Sequence, residues 1–344
     1  MTYAYQVPSV VRRVGERSEL LLETSGGRTK VGPAAHPYFF QGFLTDPGPA
    51  ALGMLACAAV ARARYYTPAS VIAAIQADPV VTSNGDRLRF ESFSGCCGVH
   101  ARLDLLPSAL AGPPVTAGTT NVDFNEPMRA CLVGSHRLAE LGPLLRFARG
   151  LKVYSAEADT RSLPMPSAWE LDLGTARFTL TLSPEKHRGF SGEGALLGLL
   201  ADPDAAADAD LISVLLAWDP RIDIGRLSAG AQISAERTGL ALSYLAATGR
   251  VGYDLAEESF FHRELPFGPA LEAMHPRLAG ARALISSGSV VAGQRGALVR
   301  SGDTEHRVTF ASPYDLCTCP WWGKHRGTRG PCKHVLAARM AVES

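Results

Sequence analysis

The chain lacks several features that would place it in a specialised class of protein. Its formal net charge is only +1, so no general attraction to nucleic acid or to acidic membranes is expected. Seven cysteines in 344 residues are an odd and small number for a disulfide framework, which favours a reducing compartment. The longest apolar run, residues 49–61, is too short to span a bilayer.

The first residues also lack a charged segment followed by an apolar run, so no signal peptide is predicted. Together these absences predict a cytoplasmic protein without a membrane partner. The length, with an apolar fraction of 46%, is sufficient for two or three domains that each bury a core.

Catalytic motifs of diagnostic spacing are missing from the first two hundred residues. Residues 189–193 lack the final glycine of a nucleophile elbow, and Leu197 stands where a dinucleotide-binding fingerprint has glycine. No catalytic residue is therefore assigned. The alternative function is an enzyme whose active site would use three polar residues of this region, Glu91, His100 and Asp123.

What the sequence does contain is a group of metal-ligand residues near its end. Cys317 and Cys319 form a C-x-C pair, twelve residues follow, and Cys332 and His334 form a C-x-H pair. Three thiolates and one imidazole complete a tetrahedral zinc shell and leave no position for water. The sequence therefore predicts one structural zinc ion.

The residues around this motif predict a hairpin followed by a helix. Residues 296–300 and 306–310 are short apolar or alternating runs separated by turn residues, as in a β-hairpin. Pro331 is suited to the first turn of a helix, which would hold Cys332 and His334. The expected local fold is ββα.

Two alternatives to this ligand set remain open. His325, inside the twelve-residue spacer, is a substitute fourth ligand. The second alternative is that the cysteines are reduced core residues that bind no metal. The zinc interpretation is preferred because both pairs occur together between a predicted hairpin and a predicted helix.

The pattern C-x-C, spacer, C-x-H resembles the SWIM zinc finger, and the likeness covers about the last fifty residues. Beyond the finger, the chain is similar to bacterial SWIM zinc finger family proteins at residues 118–124, 188–194 and 261–266. This resemblance implies a zinc-binding interaction protein and no known reaction. SWIM fingers are associated with DNA or protein binding.

The rest of the chain predicts a multi-domain α+β fold. We expect an α+β region at 1–201, a winged-helix-like module at 202–268 and the finger at 290–344. The middle module has eleven acidic residues and five arginines between 202 and 266, a formal balance of −6. Such a surface repels phosphate, so we expect this module to contact protein or to serve a structural role.

The finger region has the opposite charge balance, +4 over residues 294–344. Its spacer and the start of its helix carry four cations beside Trp321 and Trp322: Lys324, Arg326, Arg329 and Lys333. These are the candidate nucleic-acid contacts. The preferred interpretation is that they offset the negative charge of a three-thiolate zinc site. A protein partner is predicted, with nucleic acid as the alternative.

Sequence periodicity also predicts individual elements. Helices are expected at 50–66, 69–77, 136–148 and 234–248, and a hairpin is expected around Asn84-Gly85. Residues 99–105 predict a strand, and two strands are expected on either side of Gly174.

Overall fold

The computed structural model describes residues 4–63, 78–94, 98–133, 144, 146–155, 167–182, 195–265, 276–312, 315–327 and 329–343. Within them the chain has a mixed α/β fold, as expected. It divides into two compact units. The first comprises Met1–Phe190, Ala217–Ile222 and Gly252–Gly268, and the second comprises Ser191–Leu216, Asp223–Val251 and Pro269–Ser344.

The helices and strands of the described residues have the following bounds. The helices are α1 (Pro47–Arg62), α2 (Glu126–Val133), α3 (Ala195–Ala201), α4 (Pro203–Leu215), α5 (Ile224–Ala231), α6 (Ala235–Ala247), α7 (Pro276–Ser286), α8 (Pro320–His325) and α9 (Lys333–Glu343). The strands are β1 (Val10–Val14), β2 (Arg17–Leu21), β3 (Gly27–Thr29), β4 (Gly32–Ala34), β5 (Phe43–Leu44), β6 (Val80–Ser83), β7 (Leu88–Phe93), β8 (Val99–Leu105), β9 (Leu110–Ala111), β10 (Gly118–Asn121), β11 (Gly150–Ser155), β12 (Ser167–Asp172), β13 (Ala176–Leu182), β14 (Val251–Asp254), β15 (Ser259–His262), β16 (Val290–Gly293), β17 (Gly296–Ser301), β18 (Thr304–Thr309) and β19 (Leu316–Cys317).

The first unit is built on a nine-stranded antiparallel sheet of order β11-β12-β13-β8-β7-β6-β10-β3-β4. One face is apolar, and its register aligns a row of buried residues: Leu171, Phe178, Leu103, Phe90 and Val81. Helix α1 packs on β7 and β8. A Cβ at Gly53 would lie 2.5 Å from Leu103, so the close approach of helix and sheet requires glycine there.

The opposite face of this sheet is charged, and on strands β7 and β8 its charged residues are also buried. One cross-strand row contains Asp172, Arg177, Asp104 and Arg89, and the next contains Glu170, Thr179, Arg102 and Glu91. Side chains directly opposite each other in a sheet are close enough to interact, and in these rows all adjacent charged residues have opposite signs. Arg89 and Asp104 are fully buried, so both depend on pairing inside the protein.

Residues 252–264 of the same unit bring further partners to the charged face. The Asp254 carboxylate lies 3.2 Å from the guanidinium groups of Arg89 and Arg102 and 3.4 Å from that of Arg177. The buried Phe261 ring lies 3.7 Å from the Arg89 guanidinium. A buried charge network of this kind is stable only while its partners are complete.

The acidic middle of the chain forms helices with side-chain caps. Asp202 caps α4 and Ser234 caps α6 by accepting backbone N–H groups, which explains where both helices begin. Arg237 and Asp208 link α6 to α4 through two hydrogen bonds of 2.8 and 2.7 Å. Strands β14 and β15 follow in sequence, but residues 252–268 belong to the first unit. The winged-helix-like arrangement therefore stays a prediction.

The finger contains more strands than the predicted ββα unit. Its sheet has four strands in the order β16-β17-β18-β19. Helices α7 and α9 pack beside it, and its buried core includes residues from α3 and α7: Leu197, Leu200, Leu278, Ala281 and Leu284. The predicted ββα unit left out strands β16 and β19, because both are too short to show a clear alternation of apolar and polar residues.

Several predicted elements are confirmed. The helix expected at 50–66 is α1, the helix at 234–248 is α6, and residues 99–105 are β8. The hairpin turn at Asn84-Gly85 connects β6 to β7, with Gly85 at a φ of 90°. Gly174, at a φ of 81°, separates β12 from β13.

Other sequence predictions fall where the structure gives no description. The helix expected at 69–77 and the polar cluster at 188–194 lie outside the described residues. So does most of the helix expected at 136–148; of its described residues, Leu144 is helical and 146–148 are not. Among the described helices, none has the length and apolar character needed to cross a membrane.

Candidate metal centre

The finger sheet positions the first two candidate ligands. Strand β19 pairs with β18, so that Cys317 lies directly opposite Val308 on the buried side of the sheet. The pairing continues past the strand, because the Thr318 N–H donates to the Arg307 carbonyl. Cys319 follows and is also buried. The C-x-C pair is thus delivered by the sheet and turns at its end.

The second and third clustered cysteines, Cys319 and Cys332, lie directly before the first residues of helices. Cys319 is the N-cap of α8, and its sulfur accepts the Trp322 N–H at 3.3 Å. Cys332 precedes α9, and its sulfur accepts the Val335 N–H at 3.5 Å. Hydrogen bonds from backbone N–H groups at a helix start favour the thiolate form. The sequence placed Pro331 and Cys332 inside the first turn, whereas Cys332 occupies the capping position.

The four candidate ligands converge. One ligand atom from each of Cys317, Cys319, Cys332 and His334 lies within 4.8 Å of all the others, and all four residues are buried. The Nδ1 atom of His334 is 3.9 Å from the Cys317 sulfur and 4.0 Å from the Cys332 sulfur. With Zn–S of about 2.3 Å and Zn–N of about 2.0 Å, a tetrahedral site requires about 3.5 Å between S and N. The geometry therefore fits a zinc ion bound through Nδ1.

The electrostatics of the cluster also fit a cation. A hydrogen bond with Cys317 and burial together raise the pKa of Cys332 to about 12, and burial raises the pKa of Cys319. The hydrogen bond from Cys332 lowers the pKa of Cys317. Three adjacent thiolates repel one another, so the fully ionised set requires a cation to balance its charge.

A second histidine supports the ligand His334. The rings of His306 and His334 are both buried, and their centroids lie 4.3 Å apart. Nδ1 of His334 faces the sulfurs, whereas its Nε2 atom is buried and has no hydrogen-bond partner among the described residues. Ring packing by His306 therefore fixes the orientation of His334, a role that hydrogen bonds to ligand histidines usually perform. His306 was not predicted as a site residue, although it lies on the same inward-facing side of β18 as Val308.

His325 is not part of the cluster. Its ring packs against Trp321 with a centroid distance of 4.7 Å. It belongs to α8, a short helix inside the spacer, where no helix was predicted. The signal for this helix was Pro320 directly after a capping residue. The cluster therefore selects His334 over His325 as the fourth ligand.

The four candidate cations of the finger differ in exposure. Lys324 and Arg326 are exposed, whereas Arg329 and Lys333 are partly buried. Arg326 ends α8 with a left-handed φ of 44°, which turns the chain back toward α9. Trp321 and Trp322 pack against the finger core.

The residues of the alternative active site are used in internal contacts. The Glu91 carboxylate is 1% exposed and bonded to Arg263 and to His100 Nε2. Burial raises the pKa of Glu91, but Arg263 and His100 outweigh it and hold the pKa far below its ordinary range. Asp123 instead accepts the Ser9 N–H at 2.7 Å. These contacts fix the N-terminal segment and the sheet, and they give no support to an enzyme active site.

Comparison with known families agrees with the geometry. No curated protein matches the chain significantly. Residues 316–340, which contain all four clustered ligands, match the family model of the SWIM zinc finger, and the set of three cysteines and one histidine is consistent with one structural zinc ion.

Proposed function

We propose that the chain is an interaction protein in which the zinc-bound finger presents a cationic surface to an anionic partner. The observation that carries this proposal is the exposure of Lys324 and Arg326 directly between the two ligand pairs. Among the contacts of the described residues, neither side chain forms an ion pair. Four protein ligands close the zinc shell, so the metal serves to hold this surface and not to activate water.

A protein partner is favoured over single-stranded nucleic acid. Reading unpaired bases relies on aromatic rings with a free face. The Trp321 ring is contacted by the Arg277 guanidinium at 4.9 Å and by the His325 ring. Trp322 packs in the finger core. The cations are therefore accessible while the indoles are already engaged, which fits an acidic protein segment.

The remaining regions complete the proposal. The acidic stretch 202–268 serves a protein-contacting or structural role with a winged-helix-like arrangement. The formal charge of −6 over residues 202–266 disfavours contact with phosphate, so any nucleic-acid binding is weak and belongs to the finger region 290–344. The small and odd number of cysteines favours a cytoplasmic location.

The experiment compares two probes on the zinc-loaded full chain. Fluorescence anisotropy measures binding of a labelled acidic peptide and of a labelled DNA duplex over a range of salt concentrations. We expect the peptide to bind and the double variant Lys324→Glu/Arg326→Glu to lose that binding with its zinc content unchanged.

The matched control is Arg295→Glu/Arg300→Glu, which reverses two other exposed cations of the finger. It should bind the peptide with at most a small loss. Peptide binding that is unchanged in the Lys324/Arg326 variant would refute the proposed surface. DNA binding that is tighter than peptide binding and survives high salt would favour nucleic acid instead.

A further inference from the structure

The two edges of the nine-stranded sheet differ in how they are protected. Strand β4, at one edge, is three residues long and contains Pro33, which cannot donate to another strand. Strand β11, at the other edge, has six residues without proline or bulge. Within the described part of the chain, β11 pairs only with β12. Proteins usually blunt such an edge, because its free N–H and C=O groups pair readily with another strand.

The open edge also carries exposed apolar side chains on one face. Leu151 is 52% exposed and Val153 is 51% exposed. Trp169 of β12, directly opposite Val153, is 42% exposed. These residues lie on the same face as the buried row that ends in Leu171. The apolar face of the sheet thus continues outward to the edge.

We propose that β11 is a self-association site, where it pairs antiparallel with β11 of a second copy about a twofold axis at Val153. This interface is isologous, since each copy contributes the same strand. Val153 then lies opposite Val153 of the other copy, with each Trp169 on the outer side of that pair. The apolar rows of both sheets become continuous.

The charge on the opposite face of β11 selects this register. An axis at Lys152 would place two lysines directly opposite each other, which is destabilising. With the axis at Val153, Lys152 lies opposite Tyr154, whose ring offers a favourable surface to a cation. In the same register Leu151 lies opposite Ser155. The strand is therefore complementary to itself in the register centred on Val153.

The first test is the molar mass of the zinc-loaded full chain, measured by sedimentation over a range of concentrations. We expect a monomer–dimer equilibrium. Val153→Lys should remove the dimer by placing two like charges on the axis. The control is Val31→Lys, which adds the same charge at an exposed valine, 95% accessible, between β3 and β4 at the opposite edge. It should leave the dimer intact.

The second test reports the register. Under mild oxidation, Val153→Cys should form a covalent dimer that the wild-type chain does not form, because directly opposite Cβ atoms lie about 5 Å apart. Leu151→Cys should not, since the two cysteines would be about 13 Å apart along the strands.

A wild-type chain that stays monomeric, even if β11 captures an extended peptide, would overturn the proposal. A dimer that survives Val153→Lys, or one cross-linked through position 151, would overturn it as well. Neither result would bear on the zinc finger, whose proposed function rests on other residues.

Discussion

The nine-stranded sheet and the zinc finger stabilise their interiors by different means. In the sheet, buried charges are distributed over rows in which arginines and carboxylates compensate one another across neighbouring strands. In the finger, charge is concentrated in three cysteines and balanced by a single ion. A distributed network loses part of its stability when one member is removed. A metal site loses nearly all of its stability when one ligand is removed.

The largest expected effect concerns the metal ligands. Cys332→Ser should reduce bound zinc from about one per chain to nearly none, because a four-ligand shell loses a thiolate. Structural zinc contributes roughly 10 kcal/mol or more to the folding of small modules. Metal analysis of the purified variant checks the prediction. Cys57→Ser is the control, since Cys57 is buried in the first unit and its thiol donates to the Phe90 carbonyl. Zinc retained by Cys332→Ser would show that the ligand is misassigned.

A smaller but substantial effect is expected in the sheet. Asp254→Ala removes the carboxylate that Arg89, Arg102 and Arg177 share. Leaving buried cations unpaired costs about 3–5 kcal/mol, so the urea midpoint of the first unit should fall while zinc content stays constant. Glu258→Gln, at an exposed acid of the same hairpin, should change stability little. Equal destabilisation by both variants would contradict the network.

The network also predicts how the sheet responds to acid. Burial raises the pKa of Asp254, but Arg102 and Arg89 outweigh it, so the pKa lies below its ordinary value. The Glu257 pKa is lowered in the same way by Arg221 and Arg87.

A depressed carboxyl pKa stabilises the fold above the unfolded-state pKa, and this contribution is lost as pH falls through the folded-state value. The unfolding free energy of the first unit should therefore decline below about pH 4. In Asp254→Asn the decline should be shallower, as measured by urea titrations at several pH values. An equally steep decline would exclude Asp254 as its source.

The smallest effect concerns His306. His306→Ala removes the ring that packs on His334 and should weaken zinc binding by about tenfold, as loss of other supporting residues does. His306→Phe keeps a ring and should restore most of the affinity. Competition with a chromogenic chelator measures both. His325→Ala is the control, because His325 contacts Trp321 and not a ligand. If His306→Ala bound zinc with wild-type affinity, His306 would have no role in positioning His334.

The two regions also differed in how well sequence predicted them. The candidate ligands of the finger were predictable because C-x-C and C-x-H fix ligand chemistry at short range. Helix α6 was predictable because Ser234 and Gly249 mark its ends. The charged face of the sheet was not, since Asp254 reaches Arg89 across 165 positions of sequence. The alternating sequence of β8 predicts a half-buried strand, yet both of its faces are covered. A short-range sequence pattern cannot show that residues distant in sequence cover the second face of a strand.

We expect zinc, and not packing alone, to hold the segment 316–340 in its folded state. Hydrogen–deuterium exchange of the full chain before and after verified zinc removal by a chelator tests it most directly. Peptides covering 316–340 should lose protection, and the chain should become cleavable by protease between Ser312 and Ala337, while β7 and β8 keep their protection. Unchanged protection of 316–340 in the zinc-free protein would contradict a role for zinc here, because the core shared with α3 and α7 would then suffice to hold the finger.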